Sequence, residues 1–184
     1  RGLGDVYKRQ KAKSKKLEDS IEKKDGVKKP KDYVEVKFVA GENGTLEGEE
    51  KIYYVNPNKY VTLDAPKPIA NTGYSFGGWS QDASVPTVYK KDTTITANFN
   101  GLKDVVPKIS EDTKMPDGYK TVTFVIEGNG GEIVKGETKI FFVNPNNKVT
   151  LDPPATKAET GYEFDNWDKD ATKATKYEKD TTIK

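Results

Sequence analysis

The chain has 184 residues, 33% hydrophobic and 33% charged, with neither cysteine nor histidine. That composition excludes a disulfide framework and any thiolate or imidazole metal site, and with them most nucleophilic and zinc chemistry. Net charge is +2, but residues 8–31 hold 11 Lys/Arg against 4 Asp/Glu and Arg1 cancels Asp5, so residues 32–184 carry 2 − 7 = −5, the reverse of a nucleic-acid-binding domain.

At the start, Asp5-Val6-Tyr7-Lys8-Arg9-Gln10 resembles the translation of a transposase adaptor used in shotgun libraries. Residues 1–10 are therefore set aside from fold reasoning. Residues 11–31 read as the tail of a preceding repeat plus a linker. The stretch 11–24, charged nearly all round, is the only one that could be helical. There is no apolar run long enough to span a membrane.

Residues 33–40 alternate, with Val36, Phe38 and Ala40 on one face and Glu35 and Lys37 on the other, which predicts a half-buried strand. Gly41-Glu42-Asn43-Gly44 is a turn that needs positive φ. Ile52-Tyr53-Tyr54-Val55 is a second strand, β-branched and aromatic, and Asn56-Pro57-Asn58 stops it. Val61 and Leu63 make a short third strand. Residues 64–72, with Pro66 and Pro68, read as an irregular crossing segment. Tyr74 and Phe76 share a face, closed by Trp79. Ile95, Ala97 and Phe99 share the buried face of a final strand.

The pattern then repeats. Tyr33 to Phe38 matches Tyr119 to Phe124 at an offset of 119 − 33 = 86, and Val122, Phe124 and Ile126 take the inward face. After the turn Glu127-Gly128-Asn129-Gly130-Gly131 the offset is 88: Ile52–Asn58 matches Ile140–Asn146, and Val61–Asp64 matches Val149–Asp152. Thr72-Gly73-Tyr74 matches Thr160-Gly161-Tyr162, Trp79 matches Trp167, and Asp92-Thr93-Thr94-Ile95 matches Asp180-Thr181-Thr182-Ile183. Leu17, Asp19 and Ile21 likewise stand where Leu102, Asp104 and Val106 stand. This gives a mainly β chain with two modules, 32–100 and 118–184, joined by an extended linker at 101–117. The second module stops before counterparts of Ala97, Asn98 and Phe99, so the array is expected to extend both ways.

Gly73-Tyr74-Ser75-Phe76-Gly77-Gly78-Trp79, then Tyr89 and Asp92 to Phe99, resembles the Listeria–Bacteroides, or internalin-B-type, B repeat. Copy two shows it as Gly161 to Trp167, Tyr177 and Asp180 to Ile183. The resemblance implies small β-grasp-like modules strung along bacterial surface proteins, commonly Gram-positive, as stalk or adhesion segments. It implies an extracellular, cell-wall-anchored setting, a monomer, and a host or cell-surface protein or glycan as partner. Neither leucine-rich repeats nor a wall-sorting signal occur in this stretch, so receptor binding is not carried over.

Sharper chemistry has bland rivals. Asp165-Asn166-Trp167-Asp168-Lys169-Asp170 could be a calcium loop, but Gly77-Gly78-Trp79-Ser80-Gln81-Asp82 loses most of the carboxylates, so an acidic turn is the better reading. Glu127 to Gly131 lacks the helix of a phosphate cradle and reads as a hairpin turn. Trp79 and Trp167, with Tyr53, Tyr54, Tyr74 and Tyr89, could stack on sugars, yet a module of this size needs them in its core. No carboxylate pair stands beside a nucleophile. The expectation is therefore no enzyme, with no catalytic, cofactor-binding or metal-binding residue, no cofactor, no nucleic-acid partner and no membrane insertion. The alternative function is a carbohydrate-binding module of a secreted enzyme.

Overall fold

The structure, a computed structural model, is described for residues 11–184. The adaptor-like residues 1–10 lie outside the described residues. All regular structure among the described residues is strand, so the helix considered over 11–24 is not formed. In chain order the strands are β1 Ser20–Glu22, β2 Val34–Ala40, β3 Gly44–Leu46, β4 Lys51–Val55, β5 Pro68–Ala70, β6 Tyr74–Trp79 and β7 Thr93–Gly101. Then follow β8 Val105–Pro107, β9 Lys120–Phe124, β10 Gly131–Ile133, β11 Ile140–Val143, β12 Lys148–Val149, β13 Thr156–Ala158, β14 Thr175–Lys176 and β15 Thr181–Ile183. Packing divides the chain into two compact units. One gathers the chain to Val39 with Gly48–Pro66 and Ser80–Thr96; the other gathers Ala40–Glu47, Lys67–Trp79 and Ala97–Lys184.

In the first unit β4 lies between β1 and β2, antiparallel to both. The alternation of β2 places Val36 and Phe38 inward, both fully buried. Phe38 meets Tyr53 of β4 edge to face, ring centroids 6.2 Å apart. Val55, Val61, Leu63, Tyr89 and Ile95 complete this core. Val61 forms an isolated bridge with Thr87 rather than a strand of its own. Asp92 explains the Asp-Thr-Thr-Ile motif: its carboxylate accepts a 2.8 Å bond from Glu35 N at the start of β2. Asp180 accepts from Thr121 N in the same way. A carboxylate here satisfies a strand-end donor that has no ladder partner.

The second unit holds the sheet β15-β9-β11-β8, in which β15 runs parallel to β9. Its core is Val122, Phe124, Phe141, Val143, Val149, Leu151, Ala171, Tyr177 and Ile183, with Trp167 packed on it. The same unit contains the antiparallel pair β6 and the end of β7, from Tyr74↔Gly101 to Trp79↔Ala97, with an irregularity between Phe76 and Gly78.

The structure corrects several sequence expectations. Segments 11–31 and 101–117 are not plain linkers: Ser20–Glu22 and Val105–Pro107 each add a strand to the sheet of the following repeat, pairing with β4 and β11. Three-residue strands give too little alternation to register in sequence. The segment 64–72 is not irregular throughout, since β5 pairs with β3; Pro68 is tolerated because it opens its strand. Residues 162–167, counterpart of β6, form no strand. In copy one β6 pairs with Ala97–Gly101.

Candidate functional site

The aromatic residues single themselves out first. Tyr53, Tyr54 and Tyr89 are buried, as core residues should be. Trp79 and Trp167, expected to be largely buried, are instead half-buried. β6 is the last strand in its sheet order. Trp79 meets Phe76 at 5.7 Å and 65°. Trp167 stands edge to face on Phe124 at 5.1 Å and 76°, and is tilted 59° to Phe164. Rings set at such angles gain quadrupole attraction from one another but do not offer one flat face to a sugar. Phe99 shares its face with Ile95 and Ala97, as expected, yet it is only half-buried and lies over Gly44, where a Cβ would run into its ring.

The acidic turn is held by its own neighbours. Thr172 donates to Asp170 Oδ1 through both its backbone N and its hydroxyl, and Ser84 does the same to Asp82. These bonds, the side-chain one first, hold both carboxyls below the usual aspartate range. Asp168 Oδ1 accepts from Lys184 N at 3.0 Å. Among the described residues no group of three or more acidic side chains gathers to hold a metal. The glycine turn at 127–131 is not the expected hairpin: β9 before it pairs with β11 and β15, and β10 after it pairs with β13.

Two arrangements escaped the sequence reading. The first is built on Asn144, which reads as a mere strand stop. It is 5% exposed, donates through Nδ2 to Asp104 Oδ1 at 3.1 Å, and receives Asn146 N on Oδ1 at 3.0 Å. Asn147 also donates to Asp104, and the Tyr119 hydroxyl donates to Lys103 O at 2.7 Å. Leu102 N donates to Gly73 O. Residues 102–107 are thus bonded both to the turn of the preceding repeat and to β11. The signal was present: Asn56 and Asp19 make the same side-chain bond at 3.2 Å, and Tyr33 donates to Glu18 O.

The second is a cavity of about 470 Å³ between Val125–Glu132 and Tyr162–Asp168, with Lys184 also in its lining. Tyr162 and Phe164 on its wall are 63% and 50% exposed. The Lys184 ammonium reaches Glu127 across it at 3.9 Å.

With this geometry in hand the comparisons with known proteins are consistent. Residues 34–103 match the family model of the divergent InlB B-repeat domain, and residues 121–184 that of the Listeria-Bacteroides repeat domain. No curated protein and no solved structure matches the chain. Repeats of this kind occur in bacterial surface and extracellular proteins and are typically non-catalytic. The two copies, with their shared Asp-carboxylate strand cap and Asn–Asp clamp, are therefore repeat domains of the InlB B and Listeria–Bacteroides type.

Proposed function

We propose that these repeats are a structural and adhesive region of a bacterial cell-surface protein, a stalk of folded units that sets reach and meets host or neighbouring surfaces. The observation that carries this reading is the junction: Leu102 N is bonded to Gly73 O on one side, while Asp104 and Val105–Pro107 are bonded to Asn144 and β11 on the other. A connection hydrogen-bonded at both ends constrains the chain far more than a free polar linker. The same reading makes the region non-enzymatic and monomeric, with wall anchoring elsewhere in a Gram-positive protein. Its partner would be a protein or glycan, with no role for nucleic acid or membrane insertion.

The alternative, a carbohydrate-binding module, draws on the exposure of Tyr162 and Phe164. Phe164 is tilted 59° to Trp167, so these rings do not offer one flat face to a sugar. The test is to stretch single molecules between their ends. Two separate unfolding events are expected, each releasing roughly 230–250 Å for about 70 residues at ~3.3–3.6 Å per residue. One merged event would contradict a stalk of separate repeats. A saturable, sugar-dependent change in tryptophan emission would favour the alternative.

A further inference from the structure

The loop ahead of each repeat is built on one frame in both copies but carries opposite charge. Lys23 N donates to Ile52 O and Lys108 N to Ile140 O, so both loops leave their added strand at the same place. Both return through the same turn, Tyr33 N donating to Pro30 O and Tyr119 N to Pro116 O. A further turn stands between, closed by Val27 N to Lys24 O in copy one and by Thr113 N to Ser110 O in copy two. The backbone of 23–33 is thus held by its own bonds, with Val27, Pro30 and Tyr33 half-buried. The side chains differ. Residues 23–31 hold Lys23, Lys24, Lys28, Lys29 and Lys31 against Asp25, 5 − 1 = +4. The counterpart 108–117 holds two lysines against Glu111, Asp112 and Asp117, 2 − 3 = −1. All five lysines of the first loop are exposed. Lys24 reaches Glu22 at 3.7 Å; among the described residues the other four make no ion pair.

These lysines serve neither the core nor a ladder, and like charges gathered on an ordered loop repel one another, a cost to the folded state. A preceding repeat does not cover such a loop. In copy two, which has a repeat ahead of it in the chain, Lys114, Met115 and Asp117 stay exposed, and Ile109 is 81% exposed. We propose that loop 23–31 is a binding site for an anionic polysaccharide, its ammonium groups meeting the sulfate or carboxylate groups of successive sugars. An ammonium is a compact charge on a flexible stem, with donors that follow irregularly placed anions, whereas a guanidinium is specialised for one planar fork. Residues 23–31 contain no aromatic ring, which single-stranded nucleic acid needs as a platform for its bases. Residues 32–184 carry a net −5, which repels a stiff polyanion extending beyond the loop. A short, flexible glycan is held by the loop alone. The inference rests on the surface-contact reading above and narrows its partner to one chemistry.

The experiment titrates the full chain with a heparin-derived decasaccharide at about 0.15 M salt. Saturable binding is expected, tighter as salt is lowered, with none to uncharged dextran. Lys28→Ala, Lys29→Ala and Lys31→Ala together should weaken binding about tenfold or more, as the loss of three exposed charge pairs implies, and leave the melting temperature unchanged. Met115→Lys with Asp117→Lys reverses the charge of the matching loop and should add a second site on copy two. Four results would each overturn the proposal: no binding up to millimolar decasaccharide, undiminished binding to the triple variant, no second site in the reversed loop, or equal binding of a single-stranded DNA of the same charge. The stretching experiment does not involve these lysines, so absent glycan binding beside two unfolding events would sink the loop site alone, and one merged event would sink the stalk reading alone.

Discussion

Gly73 packs against Asn144: a Cβ on Gly73 would stand 2.7 Å from Asn144 Nδ2, at a residue whose φ is +92°. Thr72, one residue earlier, lies where a Cβ on Gly118 would be. The turn Thr72-Gly73 thus fits onto the Gly118–Asn144 face because both glycines lack a side chain.

Gly161 offers a matched control. It is the counterpart of Gly73, with φ +90° and nothing within 4 Å of a built Cβ. Gly161→Ala should cost about 1 kcal/mol, the strain of a left-handed alanine. Gly73→Ala should cost that and about 1 kcal/mol more for the displaced amide. Urea unfolding of the two variants measures the difference; equal costs would mean the junction contact carries nothing.

Asn144 and Asn56 make a second such pair. Both clamp an aspartate, but Asn144 is buried and Asn56 only half-buried. Asn144→Ala removes one donor from the half-buried Asp104, which keeps Asn147, and leaves Asn146 N–H unpaired, a loss of about 1–3 kcal/mol. Asn56→Ala should fall at or below the lower end, because water can replace the lost bonds. The comparison is read from unfolding midpoints of the two single variants.

Much of this architecture is legible in sequence, for a physical reason. Val36 and Phe38, or Val122 and Phe124, alternate because one sheet face is buried, and alternation is what a sequence displays directly. The offset of 86 to 88 carries over the rest, down to Asp92 and Asp180. What stays hidden is decided by partners distant in sequence. Val105–Pro107 is a strand only because β11 lies beside it. Trp79 and Trp167 are half-buried alike, with or without a paired strand beside them.

Two of the buried tyrosines, Tyr89 and Tyr177, set an alkaline limit. Tyr89 and Tyr177 are 3% and 2% exposed, and neither hydroxyl has a hydrogen-bond partner. The neighbouring threonine hydroxyls, Thr87 and Thr175, donate to Val85 O and Lys173 O instead. Burial raises both phenols above the usual tyrosine value of about 10. A raised phenol favours the folded state fully below the unfolded value, and that contribution is lost as pH rises through the folded value. Stability should fall above about pH 10. Tyr89→Phe with Tyr177→Phe should flatten that fall and leave stability at pH 7 unchanged or slightly raised. Thermal melts from pH 7 to 11 test this.

Calcium and chelator should leave the melting temperature unmoved. Asp170 is occupied by Thr172 and Asp168 by Lys184 N, so the loop Asp165–Asp170 is a closed turn. Because Asp82 and Asp170 are held below the usual aspartate range, their contribution is present above the unfolded value and disappears as pH falls through the lower folded one. A calcium-dependent shift of several degrees would contradict the turn assignment.

The most direct measurement is hydrogen exchange at single amides in the unmodified chain. If the two copies share one frame, then Gly41, Ser80, Val125 and Asp168 N–H groups should all be protected, each being bonded to a backbone carbonyl distant in sequence. Fast exchange at Val125 and Asp168 beside protected Gly41 and Ser80 would contradict the account.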